Sequence, residues 1–539
     1  MGTSESGMVS APQPLAVEAG VRILADGGNA VDAAIAVAFV QGVVDPQMCG
    51  LGGGGSVTVH LAHSSETSVC DFYAPTPLAA TPSMFADRVV SRATWGGFIL
   101  SDRANEIGYL SVCTPSAVQG LGSLHARFGS MPWLRLLDDA IAIAEERAPV
   151  YHHVHERWNR QVGDFVDCIT RHQATRTCEV QYMRGGAMLG IGERMDTRAY
   201  AHTLKRLAAE GPRDFIDGET AQTMVRDMAD NGGMMTLDDL AAAKPEWRRS
   251  VSGNYRGYRV EGPPPPGAGV AVVAILNILS GCDLAVLGHN SAEHLHIVAS
   301  AIRLGLDDWK AHTGDPAFVE NPVAWLTSQE RADELRQMIG SASETTTAAR
   351  DEIPDGRDTT HISIMTSDGS AVSMTHTLGL GSGVVTPGLG FMYNNAMMLF
   401  DPRPGGPNSI APRRVRQHGL ASCILFKDES PWLAVGAPGG HGIISGVVQT
   451  ISNIIDFAMS PGDAVSAPRI HCEGPVIDLE ARIPRGIAED LRARGHEIRH
   501  SLYSYDFFSG RPHVVMRDPA SKALSGGADP RGGGMALSS

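Results

Sequence analysis

The stretch Asp358-Thr359-Thr360-His361-Ile362-Ser363-Ile364-Met365 constrains this chain more than any other, because of what surrounds it. Before it runs Ser341 to Arg357, polar, small and short of core residues, which reads as a linker. After it, Ile362 and Ile364 alternate with polar neighbours, Ser367-Asp368-Gly369-Ser370 supplies a turn, and Ala371 to Leu378 returns, which predicts a β-hairpin. Thr-Thr-His before such an alternation is also simply how a strand begins. A Thr at a linker-to-strand junction has a second use. If the backbone is cut before Thr359, that residue holds a nucleophilic hydroxyl and a base together, its freed α-amine having a reference pKa of about 8. Counting back from the Asp-Gly turn puts Thr359 opposite Thr377, within hydrogen-bond reach.

Downstream, Gly436-Ala437-Pro438-Gly439-Gly440 follows an apolar strand, Trp432 to Val435, and precedes a helical run from about Ile443 to Met459. Amides of Gly439 and Gly440 at such a strand-to-helix turn are suited to stabilise an oxyanion.

Further landmarks are Gly28-Asn29-Ala30-Val31-Asp32-Ala33-Ala34, Leu51-Gly52-Gly53-Gly54-Gly55, Thr114 to Gly120, Tyr255-Arg256-Gly257-Tyr258, Thr359-Thr360-His361, Pro438-Gly439-Gly440 and Asp529-Pro530-Arg531. In these seven, spread over nearly the whole chain, the sequence resembles the γ-glutamyltranspeptidase family of N-terminal-nucleophile hydrolases. The resemblance implies an α/β (α+β) fold, a four-layer αββα sandwich. It also implies self-cleavage between Asp358 and Thr359, yielding a large fragment 1–358 and a small fragment 359–539 that stay together as one intertwined unit. Thr359, Thr377, Gly439 and Gly440 are then the catalytic set.

The chain departs from the family where the substrate is gripped. Tyr73 stands where transpeptidases carry an Arg for the α-carboxylate, and Gly379 where they carry an Asn. Ala396 and Leu399 align with the residues that hold the substrate ammonium, and His418-Gly419 with a Ser-Ser pair. Asn395 and His441 complete the candidate substrate-binding set. A pocket without its guanidinium, carboxylate and Asn loses about 1.5–3 kcal/mol per missing charge-assisted bond, so a standard γ-glutamyl donor is not expected. The connection Asp401 to Ile410 is too short for the Tyr-bearing lid of some relatives, which predicts an open groove.

The reaction expected is hydrolysis of an amide or similar acyl bond through an acyl-Thr359 ester, on a small-molecule acyl substrate. Three alternatives stay open. One is a C–C bond hydrolase of the alkylproline-antibiotic type, needing a proton donor such as His418, His441 or His376. The others are a γ-glutamyl transferase or hydrolase with a rearranged pocket, and a catalytically silent scaffold.

Composition narrows the partners. A net charge of −15 and a pI near 5.7 over 539 residues argue against nucleic acid and anionic membranes. There is no run of about 18 apolar residues, and Met1 to Gly7 lacks the features of a secretory signal. Eight cysteines without C-x-x-C pairing read as reduced thiols, and the expected location is the cytoplasm. His152, His153 and His155 lack clustered carboxylates or thiols, so no metal is expected, nor any cofactor. The oligomeric state is left open.

Overall fold

The computed structural model describes residues 7–63, 67–93, 97–160, 163–339 and 359–539. The linker-like segment and Asp358 therefore lie outside the described residues.

Two antiparallel sheets stack face to face. The first has seven strands in the order Met535–Ser538, Gly7–Ala11, Thr360–Thr366, Ala371–Thr377, Gly54–His60, Thr67–Phe72 and Glu246–Arg249. The second has six, in the order Leu524–Ala528, His513–Arg517, Ser430–Gly436, Cys423–Lys427, Tyr258–Gly262 and Val251–Tyr255. In both, strands from before and after position 359 are hydrogen-bonded neighbours. Helices Pro14–Ala25 and Ala30–Val44 cover the outer face of the first sheet, and Gly269–Ser280 and Gly442–Ile455 that of the second. The result is the expected αββα sandwich.

Each helix layer packs its own apolar core against its sheet. Ala30–Val44 is buried on every face, with no polar stripe to show solvent. It starts where Asn29 and Asp32 form a capping box, and the Asp32 carboxylate also accepts from the Ser130 amide at 3.1 Å. Further helices include Ala292–His312 and Gln329–Met338, capped by Ser291 and Ser328, whose side chains accept from the His294 and Arg331 amides. The stretch between Met131 and Arg147 contains a 3₁₀ turn, Trp133–Leu137, followed by a short α-helix, Asp138–Glu145. The histidine-rich segment forms the helix His152–Asn159.

The layer between the sheets mixes an apolar cluster of Met365, Ala371, Ile424, Phe426, Ala434 and Val515 with buried hydroxyls. Alternation in the hairpin predicts one wet face, yet both of its strands are buried throughout. Their hydroxyls bond across to the other sheet, Ser363 Oγ to the His513 carbonyl at 2.9 Å and Ser373 Oγ to that of Val435 at 3.0 Å. Thr58 Oγ1 donates to the Ser422 carbonyl at 2.6 Å. Every such bond offsets the cost of burying a hydroxyl and fixes how the sheets register. No helix among the described residues is long and apolar enough to cross a membrane.

Candidate active site

The hairpin pairs Thr360 with His376 and closes through Asp368, whose carboxylate accepts from the Ser370 amide at 2.8 Å. That register sets Thr359 beside Thr377, and the Thr359 hydroxyl donates to Thr377 Oγ1 at 3.0 Å. Thr377 Oγ1 also accepts from the Gly379 amide at 2.8 Å, so both its lone-pair directions are used and its proton is left to give away. Thr359 is 3% exposed and has φ of 75°, a left-handed conformation that is strained for a β-branched residue.

Behind the nucleophile lies a buried amide relay. Gln41 Nε2 donates to Thr360 Oγ1 at 3.0 Å and to Gln13 Oε1 at 2.7 Å, and Gln13 Nε2 donates to Asp45 Oδ2 at 2.8 Å. Burial alone would raise the Asp45 carboxyl, but the Arg157 guanidinium at 2.8 Å, with help from His153 and Gln13, holds it at about 2. Residues at the starts and ends of the first two helices thus position the strand that carries Thr359.

The turn after Ser430–Gly436 comes over the hairpin because Gly436 sits directly on the His361 ring, leaving no space for a Cβ. Gly439 and Gly440 have φ of 133° and 56°, a path that favours glycine, and among the described residues neither amide meets an acceptor. Gly419 packs against this turn; a Cβ there would lie 2.6 Å from the Gly440 carbonyl oxygen. Of the candidate pair His418-Gly419, Gly419 supports the turn, while the His418 ring stacks on Tyr73.

Several candidate residues have other employment. Asn395, expected to bind substrate, spends its carboxamide on the fold, accepting from the Leu380 amide at 3.0 Å and donating to the Glu106 carbonyl at 2.9 Å. Its Oδ1 fills the volume beside Gly379, where any Cβ would come within 2.5 Å of it, so the amide missing at 379 is replaced sterically by one from 395. His376 is buried, held by Gln41 Oε1 at 2.7 Å and pushed down to about 3 by burial, which removes it as a proton donor. His418 is also fully buried; burial lowers it below the usual histidine range although Asp71, 3.6 Å away, opposes the shift. His441 differs: its side chain is 34% exposed, and Glu473 Oε1 lies 3.1 Å from Nδ1. Ala396, a candidate for substrate binding, is buried.

Leu399 and His441 open onto a cavity of about 340 Å³, shared with Phe400, Asn408, Arg416 and Gln417. Asp401, Gly406 and Pro407 of the short connection form part of its wall. Arg416 was missed in the sequence, and it brings a guanidinium to the wall of this cavity. Its Nε and Nη2 donate to Tyr73 Oη at 2.9 and 2.6 Å, and Tyr73 stacks on His418 with centroids 4.5 Å apart. A cation thus reaches the neighbourhood of position 73 from a segment 343 residues away. The one available hint was the density of arginines in Arg413-Arg414-Val415-Arg416. Among the described residues no three His, Cys, Asp or Glu side chains group as a metal site; His153 instead approaches Asp45 at 3.5 Å.

Two facing antiparallel sheets between helical layers, with a Thr at the head of a central strand, define the N-terminal-nucleophile hydrolase class. The model of the gamma-glutamyltranspeptidase family matches residues 16–539, and the chain belongs to that family of enzymes. It is 36% identical over 509 residues to the acylase ACY 1 proenzyme of Pseudomonas sp. (strain V22), covering 93% of this chain and 88% of that one. The glutathione hydrolase proenzyme of Escherichia coli (strain K12) is 30% identical over 557 residues, with 98% and 91% covered. The crystal structure of cephalosporin acylase from Bacillus halodurans superposes with a TM-score of 0.87 at 28% identity, covering 99% of this chain and 96% of that one.

Proposed function

We propose that this chain cuts itself between Asp358 and Thr359 and then hydrolyses an amide or similar acyl bond through an acyl-Thr359 ester, using a donor other than a standard γ-glutamyl compound. The observation that carries this is the Thr359–Thr377 hydroxyl pair at 3.0 Å, at the head of a buried strand and in a strained backbone conformation. In the first step the Thr359 hydroxyl adds to the preceding carbonyl carbon, the C–N bond breaks, and water hydrolyses the resulting ester. The freed amine no longer carries a peptide carbonyl, so the left-handed φ and its cost, of order 1–3 kcal/mol, disappear.

In the mature protein the α-amine takes the Thr359 hydroxyl proton as the oxygen attacks the donor carbonyl. The proton of Thr377 is available to the neighbouring oxygen or amine. The Gly439 and Gly440 amides receive the oxyanion, the amine proton passes to the leaving nitrogen, and water then releases the acid. The proenzyme names of the acylase and glutathione hydrolase relatives support the processing step.

Purified protein should run as fragments of about 38 and 19 kDa, from 57.1 kDa over 539 residues. Thr359→Ala should stay whole and inactive. A smaller fragment whose amino-terminal sequence begins anywhere but Thr-Thr-His-Ile refutes the assignment. A second reading, hydrolysis of a C–C bond beside a carbonyl, is favoured by one feature: His441 follows the Gly439-Gly440 pair, reaches the cavity and is held by Glu473, as a donor to a departing carbon would be. Incubation with a β-dicarbonyl compound tests it.

A further inference from the structure

A second cavity, of about 720 Å³, opens between the helices Ala117–Phe128, Arg198–Glu210 and Leu237–Ala242. None of its lining residues belongs to the candidate catalytic or substrate-binding set. The volume lies within the range of small-molecule sites, which are mostly apolar with a few placed polar groups. Its wall has that make-up: Trp133, Leu134, Pro212, Ile216 and Leu240 line it, and Leu134 is 57% exposed.

Gln119 supplies the polar group. Its side chain also lines the cavity and is 7% exposed, yet neither Oε1 nor Nε2 has a hydrogen-bond partner among the described residues. It is the one carboxamide of those residues with both ends buried and unpaired; Gln47 and Asn105 each leave only the oxygen unpaired. Burying such a group without partners is costly. Other polar atoms of the wall are spent. Trp133 Nε1 donates to the Leu207 carbonyl at 3.0 Å, His125 Nε2 donates to that of Met131 at 2.7 Å, and Ser123 Oγ accepts from Trp247 Nε1 at 2.9 Å. Glu210 and Lys244, both exposed, put one charge of each sign on the wall, which therefore favours neither an anion nor a cation.

We propose that this cavity binds a neutral, largely apolar molecule bearing a primary carboxamide or lactam group. An amide of that kind presents an N–H and a C=O side by side, and so gives Gln119 Oε1 a donor and Nε2 an acceptor at once. A ketone of the same shape supplies the acceptor alone. The last torsion of a glutamine is soft, so its carboxamide turns towards a ligand at little cost. The site is separate from the acyl-Thr359 chemistry and does not depend on it.

The test is equilibrium dialysis of the purified protein against naphthalene-2-carboxamide and against 2-acetylnaphthalene, in which a methyl group replaces the NH₂. Chromatography of the recovered carboxamide shows that it is intact, so turnover at Thr359 is not mistaken for binding. Wild-type protein should bind the carboxamide about 10-fold more tightly than the ketone. Gln119→Leu should bring the two affinities to within about twofold of each other. Ala209→Trp, which puts an indole into the cavity from an exposed wall position, should weaken both by about 10-fold or more. Equal affinities in the wild type, a preference that survives in Gln119→Leu, or binding untouched by Ala209→Trp overturns the proposal. Absence of saturable binding of both probes overturns it too. The wild-type comparison decides even if a variant does not fold.

Discussion

Thr377 offers the sharpest test of the site, because valine keeps its shape and removes only the hydroxyl. Thr377 Oγ1 accepts two hydrogen bonds, from Thr359 Oγ1 at 3.0 Å and from the Gly379 amide at 2.8 Å. In Thr377→Val both donors face a methyl group at a position 4% exposed, where water is a poor substitute. An orphaned buried donor costs about 1–3 kcal/mol, so two of them should destabilise the arrangement by about 2–6 kcal/mol. Only the share that bears on Thr359 affects chemistry; at 1.4 kcal/mol per tenfold, that share predicts a loss of roughly 10- to 10²-fold in rate. The assay has two readouts, the rate at which full-length chain converts to fragments on a gel and the turnover of matured protein with a chromogenic amide. Thr377→Ser, which restores an acceptor at the same atom, should recover most of both. If matured Thr377→Val turns over at the wild-type rate, the Thr377 hydroxyl does not position the nucleophile.

The other predictions are independent of it. Asp45 is held at about 2, below its ordinary 3.8, so its contribution to stability is full above about pH 4 and is lost as pH falls towards 2; the shift corresponds to about 2 kcal/mol. Melting curves of wild type and Asp45→Asn should therefore differ at pH 7 and converge near pH 2, and a constant difference would refute the assignment. Gly440→Val forces a β-branched residue into φ of 56° beside the proposed oxyanion donors and should lower turnover by roughly 10² or more while the sheets still form. Wild-type kcat in a variant with an unchanged far-ultraviolet spectrum would show that these amides are not used.

Much of the architecture was legible because its causes are local. The hairpin announces itself through an Asp-Gly turn between alternating strands, and its register follows by counting, which is how Thr359 and Thr377 come together on paper. Asn29 and Asp32 mark a helix start within four residues, and glycines at 439 and 440 mark a turn that other side chains would strain. The substrate end of the site was not legible in the same way. Tyr73 at the end of one strand reads as a lost cation, and only packing shows Arg416 lying on it. Alternation of Ile362 and Ile364 with His361 and Ser363 suggests a solvent face; stacking of the second sheet decided that this face is buried, with hydroxyls bonded across the gap. Asn395 looks like a pocket residue until Leu380 and Glu106 are seen to consume its carboxamide. The sequence by itself determined where strands, helices and the nucleophile stand, since backbone preference and side-chain period act over a few residues. Which polar groups remain unspent was decided by the tertiary structure alone, because hydrogen bonds and charges are satisfied between segments hundreds of residues apart.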